Sequence, residues 1–197
     1  EEITAMVNAV WQHLDHIITM HGGIIDKHMG DAVMALWGVP QTHEDDPEQA
    51  IRAALAMQQE LSAYAAALGR TLQMRIGINT GTVMVSTVAT TGEFTAMGDA
   101  VNVASRIEHA APEGGILVSH DTYRHVRGAF EMRAQAPLNV KGKTEPLRTY
   151  RVLELKPRIF RRYTRGVEGV ETRMIGRSSE LAVLRDALRA VVQNKTL

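Results

Sequence analysis

The chain has 197 residues, 45% of them apolar and 22% charged, a balance that excludes a disordered or fibrous protein. Twenty-two Lys and Arg stand against 22 Asp and Glu, so the basic excess of a phosphate-backbone binder is missing and nucleic acid is not an expected partner. The absence of cysteine excludes disulfides, thiol nucleophiles and Cys-based zinc sites, and no apolar run reaches the ~18 residues of a membrane span. A cytoplasmic protein without a membrane partner is the expectation.

Glu1 to Met20 reads as an amphipathic helix, because Ile3, Met6, Val7, Val10, Leu14, Ile17 and Ile18 recur at spacings of three and four. Gly22-Gly23 stops it. Ile24 to Trp37, broken by Gly30-Asp31, predicts two strands joined by a tight turn. Asp46-Pro47-Glu48 supplies an N-cap, a proline at the first helical position and an early acid. The helix behind it carries Ile51, Leu55, Leu61 and Leu68. Leu72 to Asn79 and Thr82 to Val88 predict two strands around Thr80-Gly81, and Thr90-Thr91-Gly92 a loop. Phe94 to Met97 is a short strand and Asp99 to Ala111 a helix with Val101 and Ala104 toward the core. Pro112-Glu113-Gly114-Gly115 ends that helix. Ile116 to Val118 then predicts a buried strand, Asp121 to Val126 a short helix, and Ala129 to Leu155 further strands, clearest over Leu147 to Leu155. Interleaved strands and helices place the fold in the α/β class, in the α+β sense of helices packed on one sheet.

Residues 156–173 interrupt the pattern with Lys156, Arg158, Arg161, Arg162, Arg165 and Arg173 among few apolar residues. A solvated basic linker is the preferred reading over a membrane or RNA patch. Met174-Ile175-Gly176-Arg177 then leads into a helix from Glu180 to about Val192.

Three segments could carry chemistry. Asp31, on a glycine-supported hairpin turn, offers carboxylate oxygens of the kind Mg²⁺ takes alongside substrate phosphates, with Lys27 four residues earlier on the strand. Asn102 and Arg106 share a helix face at i, i+4, an amide and a guanidinium suited to a sugar and an oxyanion. Gly142-Lys143-Thr144 suggests a phosphate-binding P-loop, but Pro137 occupies the place of its first glycine. A basic loop able to reach a triphosphate is what remains. Each of the three, taken singly, is equally a common surface feature. The eight histidines form no zinc pattern, and His13 and His16 read as surface or core-edge residues.

In order, the motifs are far more specific. Gly22-Gly23, Lys27, Gly30-Asp31 and Met34-Ala35 come first, then Arg75-Ile76-Gly77-Ile78-Asn79-Thr80-Gly81. Gly98-Asp99-Ala100-Val101-Asn102, Ala104-Ser105-Arg106 and Val140-Lys141-Gly142-Lys143 follow. This series, over about Glu1 to Leu155, resembles the class III nucleotidyl cyclases. The resemblance extends to His43-Glu44-Asp45-Asp46 of bacterial members. It implies a ferredoxin-like cyclase fold, a central mostly antiparallel sheet flanked by helices, with the first strand and helix of the family lying before Glu1. It implies an adenylate cyclase that turns ATP into 3′,5′-cyclic AMP and pyrophosphate in signal transduction, with two Mg²⁺ or Mn²⁺ ions per site and sites built at a head-to-tail homodimer interface.

Carried over by position, Asp31 matches the second of two metal-binding aspartates, and the first lies upstream. Lys27 matches the adenine-reading lysine, and Thr95 the second base-reading position in a threonine-containing bacterial subgroup. Asn102 matches the ribose-orienting asparagine, Arg106 the transition-state arginine and Lys141 the triphosphate lysine, with Lys143 close by. Val85-Ser86-Thr87-Val88 departs from the family, which usually places glycine there. As it stands the chain is expected to be a fragment with half its metal site. Gly176-Arg177-Ser178-Ser179-Glu180-Leu181 resembles the opening of the AAA-type or STAND ATPase modules that follow some bacterial cyclases, so 174–197 is expected to begin a second domain. The alternative is an inactive cyclase-like domain that senses nucleotide and controls that ATPase. A diguanylate cyclase is excluded by Gly22-Gly23-Ile24-Ile25.

Overall fold

The computed structural model describes residues 2–87, 94–139, 145–157 and 176–193. The chain divides into two units, Glu1–Ile159 and Phe160–Leu197. In the first, helix α1 (Glu2–Met20) leads into strands β1 (Ile24–Met29) and β2 (Ala32–Leu36), then helix α2 (Asp46–Ala67). Strands β3 (Ile76–Ile78), β4 (Met84–Thr87) and β5 (Phe94–Met97) precede helix α3 (Asp99–Ala110). Strand β6 (Ile116–Ser119), helix α4 (His120–Val126) and strands β7 (Phe130–Ala134) and β8 (Thr149–Leu155) complete it.

The central sheet has the order β3-β6-β8-β7. Only β3 and β6 run parallel; β8 lies antiparallel to β6 and to β7. The hairpins β1–β2 and β4–β5 form two further antiparallel ladders. The two strands expected around Thr80-Gly81 therefore do not pair with each other. They are also shorter than predicted, because β3 pairs with β6 and β4 with β5.

Strand β6 shows why the sheet is covered on both faces. Ile116 and Val118 pack toward Ile51 and Ala54 of α2, with Val126, Phe130 and Val152. Leu117 points the other way, onto Val103 and Ile107 of α3. Alternation along a strand thus serves two cores, which is why this short run is apolar throughout. A third cluster joins Leu14 and Ile18 of α1 to Met57 of α2, with Ile25, Val33, Ala35 and Trp37 of the first hairpin packed against it.

Local details differ from expectation. Asp45, not Asp46, occupies the N-cap of α2, and its side chain makes no capping bond. The Asp46 carboxylate instead accepts the His43 backbone N–H at 2.7 Å. Leu68 ends the helix exposed, and small residues (Ala50, Ala53, Ala54, Ala65) fill its buried face beside Ile51, Met57 and Leu61. On α3 the fully buried stripe is Val103 and Ile107, not Val101 and Ala104. Helix α4 is capped by the Ser119 hydroxyl, which accepts the Thr122 N–H at 3.2 Å. Lys156, expected to open the linker, still belongs to the first unit: its backbone N–H donates to the Ala129 carbonyl and its ammonium to that of Arg127. The expected loop at Thr90-Thr91-Gly92 and the rest of the linker from 158 lie outside the described residues.

In the second unit, helix α5 (Ser178–Gln193) carries an Asp186–Arg189 ion pair at i, i+3, and Arg177, just before it, pairs with Glu180 of its first turn. Among the described residues, no helix is long and apolar enough to cross a membrane.

Candidate active site

Gly30-Asp31 is a two-residue loop between the paired residues Met29 and Ala32. Gly30 takes φ +66° and Asp31 keeps a negative φ, the signs of a type II′ turn with glycine in its first central position. Such a turn matches the twist of the flanking strands, so it fixes the backbone from which the exposed Asp31 carboxylate projects at the hairpin tip. Hard carboxylate oxygens in that setting fit a Mg²⁺ or Mn²⁺ ion that draws its other ligands from water and substrate phosphates. Asp31 is thus the residue able to hold a metal here. Among the described residues, no group of three or more acidic or histidine side chains gathers into a complete metal cage.

Lys27 and Thr95, 68 positions apart, are brought together. Strand β1 packs against β5, and the Lys27 ammonium donates to the Thr95 hydroxyl over a long 3.5 Å. The Lys27 side chain is partly exposed and so open to a ligand. A lysine ammonium carries three donors and no acceptor, which leaves donors beyond the one aimed at Thr95.

What aligns the two strands is a residue that motif reading passes over. Strand β1 carries a bulge: Ile25 pairs with Ala35 and Lys27 with Met34, so Asp26 is the extra residue. A bulge bends its strand and re-aims the side chains around it. The Asp26 carboxylate, 0% exposed, turns inward and accepts the Ala96 backbone N–H at 2.9 Å, tying β1 to β5. Its second oxygen lies 3.1 Å from the Lys27 ammonium, outside hydrogen-bond geometry, so charge alone balances it. The signal in the sequence was an acid inside the apolar run Ile24-Ile25-Asp26, directly before the lysine.

Asn102 and Arg106 lie exposed on α3, which begins two residues after β5 ends. The position of that helix is set by β3. Gly77 has no room for a side chain, since a Cβ there would stand 2.5 Å from the Ala104 carbonyl oxygen. From the following loop, the Asn79 amide donates to the Ala100 carbonyl at 3.0 Å. The Thr80 hydroxyl meets that of Thr122 at 3.0 Å, and Thr122 in turn meets Ser119 at 3.1 Å. Gly77 and Asn79 of the motif from Arg75 to Gly81 thus lie against α3 from Ala100 to Glu108. Asp31 stands on the β1–β2 turn and Asn102 and Arg106 on α3, while Lys141 and Lys143 lie outside the described residues.

Comparison with known proteins agrees with this architecture. Residues 1–154 match the family described as the adenylate and guanylate cyclase catalytic domain. Adenylate cyclase 1 of Rhizobium meliloti (strain 1021) is 32% identical over 161 residues, covering 78% of this chain and 24% of that protein. The crystal structure of the adenylyl cyclase CyaB from P. aeruginosa superposes with a TM-score of 0.74 at 32% identity, covering 80% of this chain and 85% of that one. The guanylate cyclase domain of RhGC from Catenaria anguillulae, solved in complex with GTP, superposes with a TM-score of 0.72 at 29% identity, covering 78% and 85%. The chain spans 24% of the Rhizobium meliloti protein and 32% of an adenylate cyclase of Anabaena cylindrica, and still less of some other relatives. With its fold, its motif order and this match in agreement, the chain belongs to the adenylate and guanylate cyclase catalytic domain family.

Proposed function

We propose that this domain is an adenylate cyclase, converting ATP to 3′,5′-cyclic AMP and pyrophosphate in a cytoplasmic signalling protein. The observation that carries the reading is the Lys27–Thr95 pair. Adenine presents an unprotonated ring nitrogen where guanine carries N–H, and Lys27 can only donate. The Thr95 hydroxyl keeps a second lone pair for the exocyclic amine of adenine. Relatives are named both as adenylate and as guanylate cyclases, so the choice of base rests on Lys27 and Thr95.

In the reaction, the ribose 3′-oxygen forms a bond to the α-phosphorus, the bond to the β-phosphate bridging oxygen breaks, and the hydroxyl proton is released. Asn102 holds the ribose so that its 3′-oxygen faces the phosphorus. Arg106 stabilises charge growing on the phosphoryl oxygens, and Lys141, outside the described residues, the pyrophosphate. Asp31 would hold divalent metal through its carboxylate. Two Mg²⁺ or Mn²⁺ ions, when bound, would neutralise phosphate charge and acidify the 3′-hydroxyl.

We place the working site at a head-to-tail homodimer interface. The β4–β5 pair supports this: Met84 and Met97 face each other across the ladder and are 68% and 47% exposed, an apolar surface suited to a second copy. An attached ATPase module from residue 174 onward is part of the same proposal.

The test is to incubate the full-length protein with ATP or GTP and Mn²⁺ or Mg²⁺ and to measure the cyclic nucleotide formed. Cyclic AMP that disappears with Asp31→Ala is the expected result. No product with either nucleotide from a folded dimer would overturn the assignment in favour of an inactive nucleotide-sensing domain.

A further inference from the structure

We infer that Asp26 is a positioning residue for base selection, acting through Lys27 and never touching the nucleotide. The inference rests on the reading of Lys27 and Thr95 as the base-facing pair. Asp26 is a buried carboxylate on a bulge, and a buried charge persists only when it is paired. It is paired twice, to a backbone N–H of β5 and to the ammonium of the next residue. The first contact sets how β1 lies against β5, and therefore how far Lys27 stands from Thr95, since Ala96 directly follows Thr95. The second contact holds a flexible four-carbon side chain by its charged end. A lysine side chain has many rotamers, so an unheld ammonium would lose that freedom on binding a base.

One side chain thus does two things to the same pair. It places the two strands that carry the pair, and it limits the lysine to positions from which its remaining donors reach a ring acceptor. Without the carboxylate the ammonium could retreat into solvent or swing to the exocyclic oxygen of guanine. The loss should fall on discrimination between bases more than on the chemical step, because the ribose and phosphate groups on α3 are held separately by Gly77 and Asn79.

The experiment compares Asp26→Asn, Lys27→Ala and the unaltered full-length protein. It reads dissociation constants for 3′-deoxy-ATP and 3′-deoxy-GTP in Mn²⁺, nucleotides that lack the attacking hydroxyl, together with KM, kcat and thermal melting. Asp26→Asn keeps an oxygen for the Ala96 N–H and removes the charge. The expected result is a roughly tenfold fall in the preference for 3′-deoxy-ATP, equivalent to about 1.4 kcal/mol, with KM raised, kcat little changed and melting within a few degrees. Combined with Lys27→Ala, the substitution should produce no further loss of preference.

Unchanged discrimination in Asp26→Asn, while Lys27→Ala loses it, would overturn the inference and leave the base reading standing. An equal loss for both nucleotides alongside lower melting would also overturn it, as a purely structural role. Unchanged discrimination in Lys27→Ala would sink the base reading itself. Should Asp26→Asn not fold, ¹³C relaxation of the Lys27 Cε–H bonds in the unaltered, nucleotide-free protein decides. A Lys27 side chain markedly more ordered than the exposed surface lysines is expected, and order no greater than theirs would refute the inference.

Discussion

Gly77 of β3 lies directly beneath α3, where a Cβ would stand 2.5 Å from the Ala104 carbonyl oxygen and collide with the Glu108 backbone nitrogen. Both neighbours are backbone, so neither can move aside as a side-chain tip would. Gly77→Ala should therefore lift α3 from the sheet, lowering stability by about 1–3 kcal/mol. Because Asn102 and Arg106 ride on that helix, cyclase activity should fall further than stability alone explains. Thermal melting compared with kcat at a temperature where the variant is folded separates the two effects. Normal activity in a variant that melts normally would contradict the close approach.

Arg106 is assigned to charge that develops only as the phosphorus is attacked. Arg106→Ala should lower kcat by about 10²–10³ while changing KM little. Arg106→Lys keeps the charge but not the planar fork, and should recover a minor part of the loss. Steady-state cyclic AMP formation by the full-length protein checks both. A rise in KM alone would reassign Arg106 to ground-state binding.

Asp31 is exposed on its turn, so its substitution should spare the fold. Asp31→Asn should abolish Mn²⁺-dependent cyclic AMP formation and leave melting within about 0.5 kcal/mol of the original, as surface changes usually do. Activity that persists and keeps its metal dependence would remove Asp31 from the metal site.

Thr122 is fully buried and joins two hydroxyls, Thr80 on the loop before β4 and Ser119 at the start of α4. Thr122→Val keeps the shape and removes the hydroxyl that both partners meet, while Ser119 still accepts the residue 122 backbone N–H. The expected cost is about 1 kcal/mol, the net contribution of a lost hydrogen bond. Denaturant unfolding measures it. An unchanged midpoint would mean that the network contributes no net stability.

Helix and strand positions were legible in the sequence wherever apolar spacing was regular, as over α1, α2 and β6, and the Gly30-Asp31 turn was legible from its residue types. Errors fell where local signals compete. Residues 72–75 alternate like a strand but join no ladder among the described residues, and a strand needs a bonded neighbour. Val101 and Val103 are equally apolar, yet only Val103 faces Leu117 of β6, a contact that depends on where β6 lies. Asp46 carries the side chain of a helix cap, but its carboxylate bonds back to His43 and the cap position falls one residue earlier.

By itself the sequence determined the element order, the turn that carries Asp31, the i, i+4 pairing of Asn102 with Arg106, and the series of motifs that names the family. These are properties of neighbouring residues, set by backbone sterics and helical or strand period. Only the tertiary structure decided that Lys27 meets Thr95 across 68 residues, and that Asp26, an unremarked acid in an apolar strand, holds the two strands in place. The physical reason is that a strand's side-chain pattern states which face is buried but not which edge it meets. That partner is chosen by packing summed over the whole domain, and here the choice is recorded in one bulge and one buried carboxylate.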